Sequence, residues 1–338
     1  MLYATTRTKT DTYTAHRALM EDRTPGGGFY VPFRMPQVDM QKIRKGTFCD
    51  AVAEILNLFF SSGITAWDVE CCIGKSAAKV IAMPHRVLLL QLWSNPKGEY
   101  SYICDRLFEK LCGDKPGAVS NWADIVIRIS VLFGIYTLLL KMGIDSFDLT
   151  VNIGDFSTPV AAWYARKLGL PVGMIVCACN DNSSAWDFIH RGELNTAMTK
   201  VETVTPELDV SNPTGLERLI YEVFGTDEVK KYLEASSKKR LYQIRPDMTE
   251  KIGQGMYVSV VGKNRIEAVV SSVYRSNGVI LDPYAAVSYG SLQDYRAKTG
   301  ESCPTVLLWE RNPVHFLKTV QDATGLAKNE IEKIINQV

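Results

Sequence analysis

Between residues 147 and 191 the chain passes twice from a short apolar run into a longer stretch of mixed polarity, and no other feature restricts its fold as strongly. Residues 147–153 and 172–179 are dominated by aliphatic and β-branched side chains and read as strands. Residues 157–168 and 184–191 space their apolar positions for helices. Apolar strands alternating with helices predict an α/β fold in which a parallel sheet is covered on both faces. The pattern continues with helices expected at 214–224, 265–276 and 283–298, a strand at 305–309 and two terminal helices.

The upstream part is mostly helical in pattern. Phe48, Val52, Ile55, Leu56, Phe59 and Phe60 share one helix face that Gly63 would close, and Thr65 would cap a second helix through Val69, Cys72 and Ile73. The lead to about residue 36 reads as extended, with a turn at Pro25-Gly26-Gly27-Gly28 and a short strand after it. Residues 86–93 read as a strand, followed by a loop, a short helix and a Lys115-Pro116-Gly117 break. The most apolar run, 129–140, would be capped by Ser120 or Asn121; it falls short of the roughly 20 residues needed to cross a bilayer and reads as a buried helix. The expected division is an N-terminal helical domain at 1–85, a small segment at 86–118 and a large α/β domain at 119–338.

With 46% apolar and 22% charged residues, the chain can build a sizeable core. Its formal net charge of +1 gives no overall field toward nucleic acid or an anionic membrane, so neither is expected as a partner. The first 20 residues are polar, with no secretory pattern. Eight cysteines occur without a CxxC or zinc spacing, which points to free core thiols, no metal and a reducing cytoplasm. Cys177 and Cys179, two apart in a strand, should share one face of the sheet.

The segment most suggestive of chemistry is Val151-Asn152-Ile153-Gly154-Asp155-Phe156-Ser157-Thr158. An apolar strand ends in a glycine turn and enters a helix whose first N–H groups form a ready anion site. Such junctions are common, and the local pattern alone does not establish a phosphate site. The stretch resembles the PTGNFGN loop and following helix of threonine synthases, fold type II pyridoxal-phosphate enzymes, in which it grips the cofactor phosphate. Four further blocks follow in the family's order: Thr24–Pro32 resembles PDGGLFVP, Val204–Val210 with Leu216-Glu217-Arg218-Leu219 resembles SPAMDI and FERLL, Gly278–Val287 resembles GYLLDPHTAVG, and Asn312–Phe316 resembles HPAKF. The resemblance implies the large lobe of the fold type II enzymes, with a helical N-terminal domain.

The resemblance also implies losses. Where the family carries its Schiff-base lysine this chain has Ser101, which has no amine to form an imine. Lys97 stands nearby, where the family has threonine. The family's Ser-Gly-Asp-Thr-Gly turn and the small lobe around it have no counterpart, so 86–118 is expected to be a remnant of the cofactor lobe. In the phosphate loop, Gly154, Asp155, Phe156, Ser157 and Thr158 are degenerate cofactor-binding positions: Asp155 replaces the family asparagine and Ser157 the second glycine. Glu310 stands near the family's small hydroxyl beside the pyridine nitrogen, and Tyr284 replaces a histidine. Together these changes imply no bound pyridoxal phosphate, no catalytic residue and a non-catalytic protein kept as a ligand- or partner-binding scaffold. Apolar surface uncovered by the missing lobe would favour self-association or a protein partner.

Two other readings stand beside it. One is an active carbon–oxygen lyase on O-phosphohomoserine that holds pyridoxal phosphate non-covalently or through Lys97. The other is new chemistry in the old cleft, with Asp155 and Glu310 as an acid/base pair or cation site beside Ser101. The four histidines, His16, His85, His190 and His315, are not spaced for a metal or a nucleophile pair. Asp282-Pro283 reads as a helix start, and Asp209 and Glu217-Arg218 as internal pairs that pin loops.

Overall fold

The computed structural model describes residues 1–75, 78–113 and 121–337. The Lys115-Pro116-Gly117 break, Ser120 and the expected boundary at 118 lie outside them.

At the centre is a six-stranded sheet in the order Met256–Val260, Val172–Cys179, Phe147–Asn152, Thr305–Trp309, Val87–Gln91, Lys79–Met83. The first five strands are parallel. The last runs antiparallel to Val87–Gln91, so the sheet is mixed rather than wholly parallel. Lys79–Met83 lies at an edge and exposes much of its surface, which leaves it without the apolar run that marks the inner strands.

Alternation along each inner strand divides the side chains between two cores. Leu88 and Leu90, Cys177 and Cys179, and Val306 and Leu308 face the first. Leu89, Val176, Ala178, Leu307 and Trp309 face the second. Phe48–Phe60, Trp122–Lys141 and Ser157–Lys167 cover the first face; Lys263–Asn277 and Pro283–Thr299 cover the second. The 20 residues of Trp122–Lys141 are long and apolar enough to cross a membrane, but they are buried within the molecule. Where this helix crosses Phe48–Phe60, Gly134 lets the Phe48 ring approach; a Cβ there would lie 2.8 Å from it.

The caps follow local chemistry. Thr65 and Asp68 form a capping box at Ala66–Ile73, and Asn121 accepts the Asp124 N–H at 2.8 Å. Phe48–Phe60 ends at Ser61 in the left-handed conformation, two residues before the expected Gly63. The N-terminal region, expected to be an extended lead into helices, also folds Leu2–Thr5, Tyr13–Thr14 and Tyr30–Pro32 into a three-stranded antiparallel sheet. Val87–Gln91, within the expected lobe remnant, and Lys79–Met83, within the expected N-terminal domain, both belong to the central sheet. All eight cysteines are free; six are buried or half-buried, while Cys71 and Cys303 are exposed.

Candidate functional site

Three neighbouring parallel strands, Phe147–Asn152, Thr305–Trp309 and Val87–Gln91, end side by side. Their carboxyl ends form a cleft of about 520 Å³, the usual ligand position in an open α/β sheet. Gly154, Asp155 and Thr158 enter it after the first strand, Glu310 and Arg311 after the second, and Glu99, Tyr100, Ser101 and Cys104 through the helix after the third. Tyr284 comes from Pro283–Thr299 and Arg128 from Trp122–Lys141.

Most residues singled out from sequence therefore meet in one place. Phe156 and Ser157 are exceptions: both are buried and neither lines the cleft. Gly154 and Phe156 both have positive φ, 46° and 77°. The turn closes when Phe156 N–H donates to Ile153 O at 2.7 Å. Gly215 then packs against it, its N–H 2.9 Å from Asp155 O, and a Cβ at 215 would lie 2.7 Å from that oxygen. A left-handed phenylalanine is costly and persists here because the surrounding contacts determine the turn.

At the start of Ser157–Lys167 the Ser157 N–H donates to Asp155 Oδ1 at 3.0 Å, and its hydroxyl to Oδ2 at 2.7 Å. The carboxylate thus takes a helix-start amide that an anion would otherwise use. Lys97 is exposed and does not line the cleft, and no lysine or histidine is found among the described residues that do.

The surrounding charges are tied down across long sequence distances. Arg128 donates through Nε to Asp124 at 3.0 Å and through Nη1 to Thr158 Oγ1 at 3.0 Å. Arg311 pairs with Glu207 and stacks over the Tyr284 ring, 4.2 Å from its centroid. His315 meets Glu99 at 2.8 Å on the rim. Burial raises the Glu310 carboxyl above the usual range, offset in part by Arg128 and Arg311. Burial also pushes the Cys104 thiol up to about 12, so it is not a thiolate nucleophile near neutral pH. Ser101 has no histidine in the cleft to activate it, and no group of three or more metal-ligating side chains occurs among the described residues.

Sequence reading missed Arg128, Arg311, Glu207 and Glu99. Arg128 carried a signal, being the one charge between Asp124 and Lys141 in an apolar helix. Asp209 pins the adjoining loop by accepting from Asn180 Nδ2 at 2.6 Å and Thr203 Oγ1 at 2.6 Å. Glu217 accepts from Arg7 Nη2 at 3.0 Å, whereas its neighbour Arg218 is fully buried over the Phe29 ring and makes no side-chain hydrogen bond. Asp282 caps Pro283–Thr299, accepting the Tyr284 and Ala285 N–H groups at 2.8 and 3.3 Å.

A family profile described as the threonine synthase N terminus matches residues 2–77. Human threonine synthase-like 1 is 26% identical over 194 residues, covering 55% of this chain and 26% of that protein. Pseudomonas aeruginosa threonine synthase is 28% identical over 213 residues, covering 60% and 43%. The chain thus spans less than half the length of these curated relatives. Among solved structures, pyridoxal-phosphate-bound threonine synthase from Brucella melitensis superposes with a TM-score of 0.87 at 17% identity, covering 99% of this chain and 94% of that one. The yeast enzyme gives 0.82 at 16%, covering 98% and 93%.

Proposed function

Because the chain belongs to the threonine synthase family, we propose that it is a non-catalytic member that keeps the fold and the cleft as a binding scaffold. The observation that carries this reading is the cleft lining, which among the described residues includes Ser101 and no lysine. Pyridoxal phosphate does not fit the residues present. Its aldehyde has no amine to meet among the described lining residues, and its phosphate would meet the Asp155 carboxylate already on the Ser157 amide. Without the covalent anchor and the phosphate grip, the family's reaction on an amino-acid substrate has no starting point.

The deciding experiment is titration with pyridoxal phosphate, read by absorbance, borohydride trapping and peptide mass analysis, together with an assay of O-phosphohomoserine turnover. The expected result is no saturable binding, no trapped adduct and no turnover. A single adduct mapped to Lys97 or any other lysine would overturn the reading.

A protein partner is part of the same proposal. Trp67 and Tyr102, 71% and 54% exposed, lie on the adjoining helices Ala66–Ile73 and Tyr100–Cys112 and leave aromatic surface for a partner to cover. The eight free thiols fit a reducing compartment, and we place the protein in the cytoplasm.

A further inference from the structure

The cleft is unbalanced in charge. Glu99, Asp155, Glu207 and Glu310 line it against Arg128 and Arg311, four carboxylates to two guanidiniums. Three of the four carboxylates are occupied: Glu99 by His315, Asp155 by Ser157, and Glu207 by Arg311. Both guanidiniums are likewise held, Arg128 by Asp124 and Thr158, Arg311 by Glu207. Glu310 stands apart: among the described residues none hydrogen-bonds its carboxylate, although it lines the cleft and is half-buried. A half-buried carboxylate with no protein donor gains from a ligand that donates to it.

Resting on the scaffold reading above, we propose that the cleft binds a small organic cation, holding its protonated nitrogen against Glu310. The excess of negative charge disfavours an anionic ligand and favours a cationic one. A bare metal ion is a poor match, because the described residues present no group of three or more ligating side chains. Ile153, Leu208, Val210 and the rings of Tyr100 and Tyr284 supply apolar and aromatic walls for the carbon stem. Burial raises the Glu310 carboxyl above its usual range, and an arriving ammonium pulls it back toward the ionised form. The ammonium keeps all of its own protons.

The probe is n-butylamine as its hydrochloride, with 1-butanol as the neutral match of the same size, titrated calorimetrically into the wild-type protein and the Glu310→Gln variant. The amine is expected to saturate and the alcohol not. Glu310→Gln should weaken amine binding about 10- to 100-fold, the loss of one charge-assisted hydrogen bond. Equal binding of amine and alcohol, no saturation by the amine, or unchanged amine affinity in a folded Glu310→Gln protein would overturn the proposal. If that variant does not fold, the amine–alcohol comparison decides on the wild type alone. The pyridoxal-phosphate titration on the same preparation separates the two ideas. A trapped adduct overturns the scaffold reading, whereas failure of the amine overturns the role of Glu310 and leaves the scaffold reading standing.

Discussion

Replacing Asp282 by asparagine should remove a pH-dependent penalty that the folded protein carries at neutral and alkaline pH. One carboxylate oxygen caps Pro283–Thr299, but Oδ2 is buried and accepts no hydrogen bond; the Trp309 indole N–H faces the carboxyl without closing one of normal geometry. Burial pushes this carboxyl up to about 7 from an ordinary 3.8, against the opposing pull of the two capping amides. The folded state therefore holds this proton to a higher pH than the unfolded chain does. Stability falls as pH rises between those two values, and the penalty is constant above the upper one. At 1.36 kcal/mol per unit the full penalty is about 4 kcal/mol, an upper bound because the chain relaxes around the charge. Of this, about 3 kcal/mol develops between about pH 5 and about pH 8. Asparagine keeps the cap, and its pH-independent costs cancel when each protein is compared with itself. The assay is urea unfolding of both proteins at the two pH values. The wild type should lose about 3 kcal/mol more than the variant on going from the lower pH to the higher. At about 2.1 cal/mol/K per residue that difference corresponds to roughly 4 °C in midpoint temperature for 338 residues. Parallel pH profiles would refute the reasoning and mean that the helix start compensates the buried charge in full.

Two further outcomes test the packing. Gly134→Ala places a methyl 2.8 Å from the Phe48 ring where Phe48–Phe60 crosses Trp122–Lys141, and should cost about 1–3 kcal/mol in urea unfolding; an unchanged midpoint would mean that the ring yields freely. Alkylation of the native protein followed by mass analysis should label Cys71 and Cys303 first, with Cys177 and Cys179 protected until unfolding; early labelling of that pair would contradict the sheet assignment.

The parallel strands at 147–153, 172–179 and 305–309 were legible because each is a short apolar run between helical patterns, a signal contained within the segment. Met256–Val260 escaped notice: its Tyr and Ser interrupt the apolar run, and its place in the sheet comes from pairing with Val172–Cys179 rather than from its own pattern. Thr226–Ser237, rich in Lys and Glu, carries too few apolar residues to announce a packed helix, yet it buries Val229 and Tyr232. Within the site, Ser101, Asp155 and Glu310 were found through the family resemblance, which supplies contacts that spacing cannot. Arg311 and Glu207 are 104 residues apart, and Arg7 and Glu217 are 210; nothing local marks either pair. Arg128 was visible as an isolated charge, but only the crossing of its helix behind Thr158 gives that charge a place.

The order of the central sheet has a consequence for how the chain is made. Thr305–Trp309 lies between Phe147–Asn152 and Val87–Gln91 and is contributed near the end of the sequence. During synthesis those two strands, more than 50 residues apart, have only an open gap between them until residue 309 has emerged from the ribosome. Two unpaired edges are exposed until then, and the wall of the cleft that carries Glu310 does not yet exist. A nascent chain stopped before residue 305 would hold two half-sheets rather than one sheet lacking its margin, and the last tenth of the sequence acts as the keystone that joins them.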